Sequence, residues 1–264
     1  MEKKQQAPAE CWRLLTIGPS HYCEKARWAL ERGGLAFQEE AHLPPMHAIV
    51  NRKVGARKRT RPVLVTPQTI LEDSADILVF VDDYLEPSMR LFPTDEGLRA
   101  EMETWTKLFD QKLGPAVRRW LYFHLLPNTL LVSKLFEVPQ TTGALLRWRL
   151  FFPLMRAVMR KAMNITRDKA ERDRGRVLEI FDQVGEHLSD GRRYLVGDQL
   201  SVADITFASL AAPVVLAPGY GTWLPTPEQL PAGLRPDFEK SHSHPAAQFV
   251  LRLYREERSF KKSV

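Results

Sequence analysis

Ser20 and Cys23, in the run Gly18-Pro19-Ser20-His21-Tyr22-Cys23, are the first side chains whose types and spacing suit chemistry. Leu14-Leu15-Thr16-Ile17 ahead of them has the length and composition of a buried strand. Gly18-Pro19 breaks that strand, and Ser20 is a good helix N-cap. Ala26, Trp28, Ala29 and Leu30 then spell a helix that stops at Gly33-Gly34. Ser20 is thus expected at a helix N-terminus, with Cys23 one turn inside. Free backbone N–H groups and the positive end of the helix dipole suit such a terminus to a thiolate or another anion. A serine there can donate a hydrogen bond, and an exposed cysteine can become a nucleophile. The same spelling also describes a plain N-cap beside a buried cysteine.

The surrounding elements must hold that turn. Ala36–Glu40 alternates weakly as a second strand, and residues 42–61 read as a polar, basic loop with a short helix. Pro62-Val63-Leu64-Val65 and Thr69-Ile70-Leu71 give two more strands, paired as an antiparallel hairpin about Pro67-Gln68. Asp73-Ser74 opens a helix carrying Ile77, Leu78, Val81 and Leu85. The order is β-α-β-(α)-β-β-α. Helical patterns follow at Leu98–Leu126, interrupted at Gly114-Pro115, and at Arg167–Leu188. Ser201 and Asp204 have the spacing of a reciprocal N-cap, with Leu200 as a staple onto Ile205–Ala212.

The motifs Ser20-x-x-Cys23, Pro62 at the start of a strand and Asp73-Ser74 at a helix start occur in the order found in soluble glutathione transferases. The run Gly197-Asp198-x-x-Ser201-x-Ala203-Asp204-Ile205 also resembles the buried helix cap of that family. The chain therefore resembles a soluble, serine-type, bacterial-like glutathione transferase over roughly residues 12–255. Arg61 stands where the family usually has valine. The resemblance implies an α/β thioredoxin-like N-terminal domain followed by an all-α helical-bundle C-terminal domain. Its expected boundaries are a disordered tail at 1–11, a glutathione-binding domain at 12–86, a linker at 87–97 and a helical domain at 98–264.

For function, the resemblance implies glutathione as co-substrate and no metal. Ser20 would be the catalytic hydrogen-bond donor to the glutathione thiolate, with Cys23 as the alternative. Asp73 would accept from the ligand's ammonium, and Ser74 with the helix N–H groups would bind its carboxylate. Arg61, before a cis Pro62, would pair its backbone with the ligand's peptide. An electrophilic, largely apolar second substrate would lie against Trp105, Phe109, Trp120, Tyr122 and Phe123. The alternatives are a glutathione-dependent thiol reductase using Cys23 and a non-catalytic interaction scaffold of the same fold.

Composition bounds these readings. With 44% hydrophobic and 27% charged residues the chain reads as globular, and a formal net charge of +6 admits anionic partners. Arg52, Lys53, Arg57, Lys58, Arg59 and Arg61 read as a solvated basic loop, without zinc-ligand spacing or an RNA-binding signature, so no nucleic-acid partner is expected. Two cysteines, Cys11 and Cys23, exclude a disulfide framework. Without an apolar leader or a spanning segment, a cytoplasmic protein is expected. The resemblance adds a detoxifying homodimer. Leu145–Met163 mixes Trp148, Phe151 and Phe152 with five basic residues; peripheral membrane association through it is a third reading, ranked below an interdomain helix, which looks the same.

Overall fold

The first strand carries the alternation that builds both faces of the sheet. In the computed structural model, which describes residues 11–258, β1 (Trp12–Thr16) turns Trp12 and Leu14 to the main core. Leu15 and Val63 meet Ala56 on the opposite face. β1 leads through α1 (His21–Arg32) to β2 (Phe37–Ala41), which lies parallel to it, Trp12 opposite Phe37 and Thr16 opposite Ala41. The short helix α2 (Met46–Lys53) follows the cis Pro44–Pro45 bond. β3 (Val63–Val65) and β4 (Ile70–Leu71) complete an antiparallel hairpin, giving the sheet order β2-β1-β3-β4. Helix α3 (Ser74–Asp82) closes this half. The expected element order holds. Of the tail expected at residues 1–11, residues 1–10 lie outside the described residues, and Cys11 is exposed.

The second half is helical: α4 (Glu96–Leu108), α5 (Gly114–Leu125), α6 (Thr129–Leu135), α7 (Thr142–Ala162), α8 (Arg167–His187), α9 (Val202–Val215), α10 (Arg235–His242) and α11 (Pro245–Glu256). α4 and α5 are not separated by a break at Gly114-Pro115. They are joined by a π-helical turn, Phe109–Leu113, and Pro115 follows it in the first turn of α5, with no N–H to give the Asp110 carbonyl five residues back, which accepts from the Tyr22 hydroxyl instead. α9 is buried along almost its whole length. Its start carries the expected reciprocal cap. The Asp204 carboxylate accepts from the Ser201 N–H at 2.8 Å and the Ser201 hydroxyl at 2.7 Å. It also accepts from the Leu195 N–H at 2.8 Å.

α1 is the pillar between the halves, buried from Cys23 to Leu30 although Glu24, Lys25 and Arg27 lie within it. Each charge has a partner. Lys25 Nζ is 2.9 Å from the Asp110 carboxylate, and Arg27 clasps Glu39 through Nε at 2.8 Å and Nη2 at 2.7 Å. Glu24 accepts from Arg27 Nη1 (3.2 Å), Arg258 Nε (3.1 Å), the Tyr254 hydroxyl (3.2 Å) and the Gly221 N–H (3.0 Å). A side chain at Gly221 would stand 2.6 Å from the Glu24 carboxylate and 2.8 Å from Arg27 Cδ, so only glycine lets the backbone approach so closely.

Candidate active site

Ser20 precedes α1 with an extended backbone (φ −75°, ψ 118°), and its side chain makes no capping hydrogen bond. The hydroxyl is therefore not spent on the helix it begins. The turn that carries it is tied from several sides. The Gly18 carbonyl accepts from Arg27 Nη2 at 3.1 Å and from the Thr222 hydroxyl at 3.2 Å, and the Pro19 carbonyl accepts from the Tyr220 hydroxyl at 3.3 Å. Two of these three donors come from the segment after α9, so the helical half helps to fix the serine.

A cavity of about 830 Å³ opens at this turn. Ser20, Arg61, Pro62, Asp73 and Ser74 all line it, which brings five residues spread over 55 positions of sequence to one wall. The Arg61–Pro62 bond is cis. Asp73 caps α3 by accepting from the Ala75 N–H at 3.1 Å, and its other carboxylate oxygen lies 3.6 Å from Lys58 Nζ. Ser74 is buried at the first position of α3. The facing wall is apolar: Val117, Leu121 and Leu125 of α5, Met159 and Met163 at the end of α7, and Leu230, Leu234 and Phe238.

The family description of glutathione S-transferase N-terminal domains matches residues 14–87, and that of C-terminal domains matches residues 167–233. Together they span more than half of the chain. The chain belongs to the glutathione transferase family. No curated relative matches it. Among solved structures it is similar to a fungal glutathione transferase from Phanerochaete chrysosporium, at 18% identity and a TM-score of 0.62, covering 96% of this chain and 99% of that one. It is also similar to a glutathione transferase from Methylobacterium radiotolerans in complex with glutathione sulfonate (18% identity, TM-score 0.58, 97% and 98% covered). A third likeness is to a beta-etherase from Sphingobium (21% identity, TM-score 0.57, 92% and 99% covered). At these identities the likeness establishes the fold: a thioredoxin-like sheet domain followed by helices.

In this family member Cys23 is wholly buried and does not line the cavity. Burial pushes its thiol up from the ordinary range, against the opposing influence of the Arg27 cation, the Ile17 backbone and the Ser20 side chain. A thiol so placed stays protonated at neutral pH.

The aromatic wall differs from the sequence expectation. Of Trp105, Phe109, Trp120, Tyr122 and Phe123, only Tyr122 lines the cavity. Phe109 and Trp120 are buried in the core, and Trp105 stacks on Phe109 at 5.4 Å. The π-turn shifts the helical phase between α4 and α5. Val117, Leu121 and Leu125, with Arg118 and Tyr122, then form the cavity-facing ridge at four-residue spacing. That turn also joins the halves. The Tyr22 hydroxyl donates to the Asp110 carbonyl at 2.7 Å, and a side chain at Gly114 would lie 2.7 Å from Tyr22 Cζ.

The basic loop is likewise not wholly solvated. Lys58, Arg59 and Arg61 line the cavity, and the Arg61 guanidinium is buried. Arg61 Nη2 donates to the His47 carbonyl at 3.2 Å, while its Nε and Nη1 have no partner, and burial lowers its pKa to about 10. His21 is a site residue that sequence reasoning passed over. It is buried against the cavity, its Nε2 has no partner, and burial followed by the Arg118 charge lowers its pKa to about 3. It is a neutral imidazole at physiological pH. Burial pushes the Tyr122 phenol up to about 12, so it is a hydrogen-bonding group and not a base at neutral pH. The adjacency of His21 to Ser20 was the only signal available in the sequence.

Proposed function

We propose that this chain activates the thiol of glutathione for attack on an electrophilic, largely apolar small molecule. One observation carries the reading: the Ser20 hydroxyl, which makes no capping hydrogen bond to α1, sits at a helix N-terminus in a cavity with one polar and one apolar wall. The relatives from Methylobacterium radiotolerans and Methylobacillus flagellatus, crystallised with glutathione sulfonate and with glutathione, support the choice of ligand.

The magnitudes suffice. Lowering a thiol pKa from ~8.5 to ~6.5 requires about 2.7 kcal/mol of preference for the thiolate. A hydrogen bond to a charged group contributes roughly 1.5–3 kcal/mol, and a helix N-terminus adds about 0.3–1 kcal/mol. Ser20 acts as a donor, so no general base is needed beside it. Asp73 receives the ligand's ammonium, Ser74 with the first N–H groups of α3 its carboxylate, and the Arg61 backbone its central peptide. A homodimer and a cytoplasmic, detoxifying role complete the proposal.

The deciding experiment is a pH titration of the thiolate absorbance of bound glutathione. The wild type is expected to titrate roughly two units below free glutathione, and Ser20→Ala to recover most of that shift. Equal titrations in the two proteins would remove Ser20 from the mechanism. Absence of saturable binding would leave the interaction scaffold. A second expectation separates binding from folding. Asparagine caps a helix as well as aspartate does, so Asp73→Asn should keep its unfolding midpoint while glutathione affinity falls roughly tenfold or more. Unchanged affinity, measured by calorimetry, would take Asp73 out of the ligand's reach.

A further inference from the structure

α6 and α7 follow α4 and α5 in the stretch between the two family-matched segments, and the outer face of α7 is apolar where water meets it. Leu146, Leu150, Leu154 and Val158 recur every four residues and are 58%, 76%, 65% and 40% exposed. They form one stripe about 18 Å long. Arg147 flanks the stripe on one side, Arg149 and Arg160 on the other, and Lys161 stands at its C-terminal end. α7 carries no carboxylate, nor does α6, which adds exposed Leu130 and Lys134. Residues 129–162 therefore hold five more cations than carboxylates, whereas the whole chain has a formal net charge of +6. The inner face of the same helix is ordinary core: Trp148, Phe152, Met155 and Met159 are buried, and Trp148 Nε1 donates to the Thr129 carbonyl at 2.9 Å.

We propose that α7 is a peripheral membrane-docking surface that lays its leucine stripe into the interface of an anionic lipid bilayer. An amphipathic helix with basic flanks and exposed leucines binds there by burying apolar surface while its cations meet acidic headgroups. Three observations favour lipid over protein. A symmetric contact with a second copy would set α7 and its cations against themselves, opposed by like charge. The stripe offers a continuous ridge with no polar group to fix the register of a protein partner. It also ends at Val158, which lines the cavity, so docking sets the cavity mouth at the lipid surface. Among the described residues no helix is long and apolar enough to cross a membrane, so the contact is a surface one.

The test is cosedimentation of the full chain with phosphatidylcholine vesicles with or without roughly a third phosphatidylglycerol, at about 50 mM and about 0.5 M salt. The wild type should bind the anionic vesicles at low salt and lose at least roughly tenfold in partitioning at high salt. Leu150→Glu and Leu154→Glu, at positions already in water, should each lower partitioning roughly tenfold or more with an unchanged circular dichroism spectrum. Arg52→Gln, exposed on α2, makes the same one-unit change in net charge elsewhere and should leave binding within about twofold. Loss of binding in that control matching the loss in the leucine variants would reduce the effect to overall charge and overturn the proposal. So would leucine variants that bind like the wild type. A second copy as the occupant would appear in sedimentation velocity as self-association broken by Leu150→Glu, with vesicles unbound, and would equally overturn it.

Discussion

Glu24→Ala is expected to lower the stability of this protein by about 3–5 kcal/mol, because it leaves two buried guanidinium groups short of a counter-charge. Glu24 has no exposed surface and accepts from donors far apart in sequence: Arg27 in its own helix, Gly221 after α9, and Tyr254 and Arg258 at the end of the chain. Arg27 would keep Glu39, and Arg258 would keep Glu31, so each cation stays partly paired. The Gly221 N–H and the Tyr254 hydroxyl lose this acceptor. In a chain of this size the loss corresponds to roughly 10 °C in the unfolding midpoint. Glu24→Gln retains an acceptor oxygen and should fall between the two. Chemical denaturation of the three proteins checks the order. A loss in Glu24→Ala under about 1 kcal/mol would mean that water replaces the carboxylate and that the network is dispensable.

Asp204→Ala is the second large effect, about 3 kcal/mol or more, since the Leu195 N–H and both donors of Ser201 lose a buried acceptor. Here pH gives an independent signature. Burial, outweighing the hydrogen bonds from Leu195 and Ser201, raises the Asp204 carboxyl from 3.8 to about 6. Between those values the native state holds a proton that the unfolded chain has released. Stability contributed by this group is therefore full below about pH 4 and is lost as pH rises through 6. The change amounts to about 3 kcal/mol across that window. Asp204→Asn cannot titrate, so the difference in stability between wild type and Asp204→Asn should drift by that amount from pH 4 to pH 7. A constant difference would mean that the carboxyl titrates alike in both states.

Much of the sheet domain was legible because its signals are local. Leu14–Ile17 has the length and composition of a buried strand, Gly33 and Gly34 end a helix, and Asp73 and Ser201 begin helices where capping requires them. The proposed glutathione wall was legible for the same reason, each of its residues lying at an element boundary. What escaped depends on contacts between distant residues or on helical phase. Nothing near Glu24 in sequence announces that Arg258 will meet it. The aromatic wall was misread because the π-turn displaces α5 against the periodicity running through α4. Arg61 read as part of a solvated loop, since charge alone does not reveal that α2 covers it. The stripe on α7 was visible as composition only, because the sequence does not say which face of a helix is left to the solvent.

The π-turn at Phe109–Leu113 makes the cavity depend on a count as well as on residue identity. Removing one residue there, Gln111 for example, would take out the extra residue of the turn and set Pro115 four positions after Asp110, where proline has no N–H to give that carbonyl. It would also turn everything downstream by about 100° relative to α4. The Pro115 ring would crowd the Asp110 carbonyl and turn it from the Tyr22 hydroxyl, and the ridge of Val117, Leu121 and Leu125 would swing away from Ser20. A one-residue deletion would thus take apart the site, and insertions and deletions in this one turn should be far less tolerated than substitutions at its exposed positions.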